Sequence, residues 1–196
     1  MPTGHRFRPT ELHHFVTTLF TQLGSTSTEA ALVADHLIAA NLAGHDSHGV
    51  GMIPSYVKSH SEGFLQLNRH ASVMKDAGAG GAVSGGQTTH QDSLQGCVDA
   101  IFNCMTTIIL SPEAFDAPQM QRETEAFIDW CKQSPHDADT PILAPGEWEA
   151  ANRQQRLVNG IPLDASSWQA ICAAARQAGM SQDTLNQLQQ NMEVNA

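Results

Sequence analysis

The sequence predicts an α+β protein that is predominantly helical. Apolar residues recur at helical spacing over most of the 196-residue chain, which is the pattern of amphipathic helices. A strand is indicated at Thr106 to Leu110, where β-branched residues cluster before Pro112. We therefore expect an N-terminal helical bundle, a small strand-containing segment and a helical C-terminal segment.

The first 44 residues predict two amphipathic helices. Gly24 is expected to end the first helix, and Thr26 followed by Glu29 fits a capping box at the start of the second. The second helix is expected to run to Ala43 and to end at Gly44. The apolar residues of the first helix fall at positions i, i+3, i+4, i+7 and i+11, which are Leu12, Phe15, Val16, Leu19 and Leu23.

The middle of the chain changes character. Pro54 suits the first turn of a third helix that ends near Ser61, and residues 65–75 look irregular and strand-like. Five of the ten residues in 77–86 are glycine, which disfavours helix and strand interiors. We interpret this stretch as a linker, as a loop that a ligand can approach closely, or as the junction between two segments of the chain. It lacks the lysine of a phosphate-binding loop, and no G-x-G-x-x-G motif is present.

Three further helices and a short last one are expected in the C-terminal half. The first covers Met120 to Lys132, with Phe127, Trp130 and Cys131 facing inward. The next helix begins after Pro145 and Gly146 and ends at Gly160. Asp164 is placed to cap a third helix. The last two helices are marked by the apolar residues Trp168, Ile171, Cys172, Ala175, Leu185, Leu188 and Met192.

The overall charge excludes some partners. The chain carries 20 acidic and 10 Lys or Arg residues, for a formal charge of −10. Such a surface repels nucleic-acid phosphates and anionic membranes. The N-terminus does not look like a signal peptide, no apolar run is long enough to cross a membrane, and the four cysteines show no C-x-x-C spacing. We expect a cytoplasmic protein with reduced thiols.

The stretch HDSHGVGMIPSY, from His45 to Tyr56, is the first candidate site. His45, Asp46 and His48 could bind a metal, but further ligands at suitable spacing are missing, so no metal is expected. The histidines could instead stabilise the end of a helix. The more economical hypothesis is that Ser47 and His48 contact a ligand. The glycines of the stretch would let the backbone approach that ligand closely.

The stretch PGEWE, from Pro145, is the second candidate site. Gly146 precedes a helix whose first N–H groups are free to meet a ligand. Glu147 and Glu149 disfavour a bare phosphate there and suit hydroxyl groups, such as those of a ribose. Acidic residues also stabilise a helix N-terminus without any ligand. Spacing alone favours this second interpretation.

Five longer stretches of the sequence together resemble a known protein family. The stretch LVADHLIAANLAGHDSHGVGMIPSY, together with SGGQTTHQ, NCMTTIIL, SPHDADTPILAPGEWE and GIPLDASSWQAIC, closely resembles the type-2 malate/L-lactate dehydrogenases. These are non-Rossmann, NAD(P)-dependent oxidoreductases of 2-hydroxy and 2-oxo acids. The resemblance implies NAD as cofactor, with NADP as an alternative. A homodimer is also expected, because the apolar faces of successive helices would otherwise stay uncovered. The resemblance implies a substrate pocket beside Ser47 and His48, and cofactor contacts from His48, Asn103, Gly146, Glu147, Trp148 and Glu149.

The chain departs from the family in length. Family members are nearly twice as long, and residues 1–79 resemble their start whereas residues 80–196 resemble their last third. The absent middle would hold most of the cofactor region and the acid/base histidine, so no catalytic residue is assigned here. Met52 stands where many members have arginine, which leaves the substrate open. An impaired oxidoreductase is expected; the alternative is a non-catalytic helical module that dimerises.

Overall fold

The computed structural model describes residues 5–69, 72–76, 81–84, 117–136 and 139–192. Within those ranges the helices are α1 (Pro9–Leu23), α2 (Ser27–Ala43), α3 (Ile53–Ser61), α4 (Ala117–Lys132), α5 (Glu147–Asn159), α6 (Ala165–Gln177) and α7 (Gln182–Met192). The strands are β1 (His5–Phe7), β2 (Ser72–Asp76), β3 (Gly81–Ser84) and β4 (Ile161–Leu163). The α+β, predominantly helical class is confirmed. The predicted strand at Thr106 to Leu110 and the predicted site residue Asn103 lie outside the described residues.

Helices α1 and α2 form a hairpin that begins the core. Gly24 ends α1 with φ of 109°, and Gly44 ends α2 with φ of 93°. Both angles lie in the left-handed region that favours glycine. The predicted apolar residues of α1 are buried except Leu23, which is half-buried. The local signals for helix ends therefore hold.

The capping box at the start of α2 forms only in part. The Thr26 hydroxyl accepts a hydrogen bond from the Glu29 backbone N–H at 3.3 Å, as predicted. The reciprocal bond of a capping box, from the Thr26 N–H to the Glu29 side chain, is replaced by two bonds to Asn68. The Asn68 side chain accepts from the Thr26 N–H at 2.7 Å, and the Asn68 N–H donates to the Glu29 carboxylate at 2.6 Å. Asn68 has a positive φ of 61°. A loop residue thus ties the 64–69 segment to the corner between α1 and α2.

The core joins the N-terminal helices to the C-terminal third of the chain. Phe7, Phe15 and Trp168 are buried, and the Trp168 ring centroid lies 4.6 Å from that of Phe7 and 5.5 Å from that of Phe15. Helix α3 packs on α6, and α2 packs on α5. The two ends of the chain therefore share one hydrophobic core.

Two short antiparallel pairs account for the described strands. Strand β1 pairs with β4, with His5 opposite Leu163 and Phe7 opposite Ile161. Strand β2 pairs with β3, with Asp76 opposite Gly81. Part of the glycine-rich stretch is thus a strand, because β3 begins at Gly81. The β2–β3 pair spans the proposed boundary at residues 79 and 80, and the division into two segments stays a prediction.

The orientation predicted for α4 is wrong. Phe127 and Trp130 are 61% and 67% exposed and stack on each other with ring centroids 5.9 Å apart, whereas Cys131 is half-buried. None of the described core residues belongs to α4. Helical periodicity identifies an apolar face but not the surface that covers it. Among the described helices, none is long and apolar enough to cross a membrane.

Candidate functional site

The turn between α2 and α3 carries the first candidate site. After Gly44 the chain makes two short 3-10 turns, Asp46–His48 and Val50–Met52. The His45 N–H donates to the Ala40 carbonyl at 2.9 Å, and the His48 N–H donates to the His45 carbonyl at 2.9 Å. The first of these bonds uses a carbonyl that the last turn of α2 would otherwise leave without a partner. The turn is therefore a continuation of the helix end.

Asn41 holds both sides of this turn. The side chain is fully buried, its amide donates to Asp46 Oδ1 at 2.7 Å, and its Oδ1 accepts from the Val50 N–H at 2.8 Å. Gly49 lies directly against Asn41, because a Cβ at Gly49 would come within 2.1 Å of Asn41 Oδ1. The glycine is needed here for close approach to a side chain within the protein, and the prediction had assigned this role to a ligand.

Arg156, near the end of α5, reaches the same turn. Its guanidinium donates to both carboxylate oxygens of Asp46, at 2.5 and 3.0 Å, and to the carbonyl of Asn41 at 2.5 Å. The Arg156 side chain is only 13% exposed. Bidentate pairing with a carboxylate fixes geometry as well as charge. Arg156 therefore joins α5 to both the end of α2 and the start of the turn.

Ser47 and His48 lie at the outer surface of the turn. Both are exposed, and Ser47 Oγ is 3.0 Å from His48 Nδ1. Within the described part of the chain, Nε2 of His48 has no hydrogen-bond partner. A ring with one nitrogen held by a neighbour presents the other in a defined direction. This arrangement suits the predicted contact between His48 and a ligand.

The start of α5 packs against the same turn. Gly146 precedes the helix with φ of 94°. Trp148 lies over Gly44, where an added Cβ would come within 2.5 Å of the indole ring, and its ring centroid is 5.7 Å from that of His45. Glu149 Oε1 is 3.2 Å from His45 Nε2. The two predicted sites are thus in contact.

Glu147 is engaged by partners within the protein. Lys132 of α4 donates to one carboxylate oxygen, and the Ala144 N–H donates to the other at 2.9 Å. The Lys132 hydrogen bond, followed by the Ala144 hydrogen bond, lowers the pKa of Glu147. The carboxylate thus stabilises the chain entering α5. This supports the ligand-independent interpretation that spacing alone had favoured for this residue.

Sequence reasoning found the turn but missed the two residues that hold it. Ser47, His48 and residues 146–149 lie in one region, whereas Asn103 is outside the described residues. Asn41 had a usable signal, since it interrupts the apolar face formed by Ile38 and Leu42. Arg156 had none, because its partner Asp46 is 110 residues away in the chain.

A cavity of about 390 Å³ lies elsewhere, between α1, α2, α3 and residues 65–69. Tyr56 from the first candidate stretch lines it, but none of the described residues predicted to contact substrate or cofactor does. Its walls are mainly apolar, and Ser25 Oγ and Glu29 Oε2, on two lining residues, are buried without a hydrogen-bond partner among the described residues. We place the candidate site at the turn, where the contacts involve the predicted residues. Among the described residues, no three His, Cys, Asp or Glu side chains are grouped to hold a metal.

Comparisons with known proteins identify the class of protein to which this chain is similar. The sequence pattern of malate/L-lactate dehydrogenases matches residues 7–101 and 79–172. Hydroxycarboxylate dehydrogenase B of Escherichia coli K12 is 34% identical over 352 aligned positions that span 94% of this chain and 98% of the relative. A solved Escherichia coli structure assigned as a malate/lactate dehydrogenase superposes with a TM-score of 0.78 at 29% identity, over 96% of this chain and 99% of that chain.

A more distant structure agrees in fold. Malate dehydrogenase from Pyrococcus horikoshii superposes with a TM-score of 0.71 at 13% identity, over 91% of this chain and 97% of that chain. The relatives are dehydrogenases, a class of oxidoreductases. The chain belongs to the malate/L-lactate dehydrogenase family. The resemblance stated from the sequence is confirmed.

Proposed function

We propose that this chain is an NAD(P)-dependent oxidoreductase of 2-hydroxy and 2-oxo acids whose activity is impaired by loss of a central cofactor-binding region. The observation that carries the proposal is the contact between the two candidate sites. His45 meets Glu149 at 3.2 Å, and Trp148 covers Gly44 and His45. The turn that carries Ser47 and His48 is therefore in contact with the start of α5, and the family resemblance assigns residues of both stretches to one pocket.

The chemistry follows from the family. When bound, a nicotinamide cofactor supplies the hydride that reduces C2 of a 2-oxo acid, or accepts it in the reverse reaction. The contribution of this chain is to bind and orient. Ser47 holds Nδ1 of His48, which leaves Nε2 to form a hydrogen bond with the cofactor or with the substrate. The substrate would lie beside Ser47 and His48.

The surviving residues fit the cofactor only in part. His48 is exposed and has a free ring nitrogen among the described contacts, and the indole of Trp148 is 46% exposed. By contrast, both carboxylate oxygens of Glu147 already have donors, and Glu149 faces His45. We propose that His48, Gly146 and Trp148 contact the cofactor directly, together with Asn103. Glu147 and Glu149 then shape the pocket wall.

The proposed loss of activity is supported by the length of this chain compared with its relatives. The alignment with hydroxycarboxylate dehydrogenase B needs 352 positions for a chain of 196 residues, and the two family matches overlap at residues 79–101. Both observations support two segments, 1–79 and 80–196, that join where the relatives carry a further region. Loss of a general acid/base lowers rates by roughly a hundred- to ten-thousand-fold. Loss of cofactor positioning lowers them further.

Assembly and location belong to the same proposal. We infer a homodimer that acts in the cytoplasm. Cys131 and Cys172 are free thiols, which is the state that a reducing compartment maintains.

Burial raises the pKa of the Cys172 thiol, so this side chain is a poor nucleophile and serves packing instead.

Titration with NADH tests the proposal. Binding should increase NADH fluorescence, while NADH oxidation with 2-oxo acids should be far slower than in an ordinary dehydrogenase. His48→Ala should weaken NADH binding by about tenfold, since it removes a hydrogen bond to the ligand. His136→Ala is the matched control, because His136 is an exposed histidine bonded only to the Ser134 carbonyl among the described contacts.

The outcomes separate the parts of the proposal. Absence of NADH and NADPH binding would leave family membership without a cofactor site. Turnover at the rate of an ordinary dehydrogenase would overturn the impairment. An equal effect of His48→Ala and His136→Ala would remove His48 from the site.

A second candidate function is a non-catalytic helical module that dimerises. The exposure of Phe127 and Trp130 on α4, and of Leu157 and Val158 on α5, favours it. Exposed apolar clusters often mark association surfaces. Light scattering after size-exclusion chromatography tests this function: a dimer that binds no NADH would support it, and a monomer would exclude it.

A further inference from the structure

We propose that Arg156 is a positioning residue that sets the geometry of the His48 turn through Asp46. This inference deepens the proposed function, since it assigns a role to a residue that lies behind the proposed pocket. Arg156 lies near the end of α5, whereas residues 146–149 lie at its start. The same helix therefore supplies a wall of the proposed pocket and the side chain that shapes the turn.

The first step of the argument is the number of donors on Asp46. Its carboxylate receives Nη1 and Nη2 of Arg156 and the side-chain amide of Asn41. Three donors on one carboxylate fix the position of the residue that begins the 3-10 turn. The planar guanidinium matches the two carboxylate oxygens in a way that an ammonium group cannot.

The second step is that the turn is held on both sides of His48. On one side, Asp46 is bound by Arg156 and Asn41. On the other, the Val50 N–H donates to Asn41 Oδ1 at 2.8 Å. Between these points His48 contributes only its backbone bond to His45 and the contact with Ser47. Because His48 is exposed and makes no other hydrogen bond among the described residues, we take the direction of the imidazole to depend on the two anchors.

The third step is that Arg156 also fixes Asn41. Its Nη1 donates to the Asn41 carbonyl at 2.5 Å, one of the last carbonyls of α2, where a cation also meets the negative end of the helix dipole. Arg156 thus contacts both anchors. It has no described contact with His48, so its effect on the ligand-binding face is indirect.

The test compares Arg156→Lys with Arg153→Lys. Arg153 is an exposed residue one turn earlier on α5, without a hydrogen bond or ion pair to any described residue, so its replacement controls for a general change in the helix. Both variants keep the charge. Hydrogen exchange at the Val50 amide and the NMR resonance of the His48 ring report on the turn, and circular dichroism and a thermal melt report on the fold.

We expect Arg156→Lys to keep the helical signal while Val50 exchanges about tenfold faster and the His48 ring resonance shifts. Arg153→Lys should change neither. Combining Arg156→Lys with Asp46→Asn should accelerate exchange by less than the product of the two single effects, because both changes remove the shared Arg156–Asp46 pair. Unchanged exchange and ring resonance in Arg156→Lys would overturn the inference. Additive effects in the double variant would also overturn it, since they would mean independent roles.

NADH separates this inference from the proposed function. If the wild-type chain binds NADH, Arg156→Lys should weaken binding by about tenfold and Arg153→Lys should leave it unchanged. Equal binding by Arg156→Lys and wild type would overturn the positioning role. If the wild-type chain binds no NADH, the proposed function fails, and the exchange and ring measurements alone decide whether Arg156 positions the turn.

Discussion

Gly49 and Asn41 illustrate what one position can require. The glycine φ of −91° is open to any residue, so backbone conformation does not select glycine here. The contact with Asn41 selects glycine, because a Cβ at this position would lie 2.1 Å from Asn41 Oδ1 and 2.3 Å from Asn41 Cγ. Asn41 cannot move away without losing its bonds to Asp46 and Val50. The demand for glycine thus comes from a polar side chain packed beneath the turn.

We predict that Gly49→Ala destabilises the protein by about 1–3 kcal/mol, the usual cost of forcing extra volume into a packed site. Urea unfolding followed by circular dichroism measures this change. Gly51→Ala is the control in the same turn, because its added Cβ would come no nearer than 3.4 Å to the Asp46 carbonyl oxygen. Equal stability of the two variants would mean that the turn relaxes around the new methyl group.

Helix α6 shows how a cap is assembled from a few neighbouring residues. Asp164 accepts from the hydroxyls of Ser166 and Ser167 and from the Ser167 N–H. The Ser166 hydrogen bond, followed by those of Ser167, holds the pKa of Asp164 well below its usual range. A carboxyl whose pKa is lowered by folding stabilises the folded state above the unfolded pKa. That contribution is lost as pH falls through the lower, folded value.

We therefore predict that Asp164→Ala lowers the melting temperature by the same amount at pH 7 and pH 5. The difference from wild type should shrink only below pH 3.8, the ordinary value for this carboxyl. Thermal melts over that pH range measure it. Asp183→Ala in the first turn of α7 is the control and should have a smaller effect. A loss that is constant down to the most acid pH would argue that the hydroxyl bonds alone form the cap.

The helices were predictable from sequence because their signals are local. Gly24, Gly44 and Asp164 mark ends or starts, and the stripe in α1 identifies its buried face. Strands β1 and β4 carry no such signal, since each has three residues and the pairing joins positions more than 150 residues apart. The orientation of α4 failed for a related reason. Periodicity cannot say what a face packs against.

The candidate site was likewise predictable from the sequence only in part. The turn at 45–52 was found because histidines and glycines cluster there, and the start of α5 was found because Gly146 precedes acidic residues. The bonds from Arg156 to Asp46 and Asn41 were not predictable, because they depend on how α5 docks on α2. Long-range polar contacts follow from the tertiary fold, which composition does not specify.

At the scale of the whole molecule, the first strand attaches to the C-terminal third. Phe7 is fully buried, lies opposite Ile161 and packs on Trp168 with ring centroids 4.6 Å apart. Phe15 of α1 packs on the same indole at 5.5 Å. The stability of the N-terminal helices and that of α6 are therefore coupled through one aromatic cluster.

We predict that Phe7→Ala destabilises the whole protein by about 3–5 kcal/mol, because it removes a fully buried ring from that cluster. Phe127→Ala removes the same side chain from a position that is 61% exposed and should cost far less. Denaturant unfolding monitored by both tryptophan fluorescence and circular dichroism should give a single transition in each variant. Two separate transitions in wild type would mean that the two ends of the chain unfold independently.

The β2–β3 pair has a consequence for how family members of different length can share one fold. Asp76 and Gly81 are register partners, so their Cα atoms lie about 4.5–5.5 Å apart, as opposite residues of an antiparallel pair do. A compact unit whose own ends are adjacent can be spliced between two such positions without moving either strand. We therefore expect this hairpin to be a position at which family members can differ in length while the two strands keep their pairing.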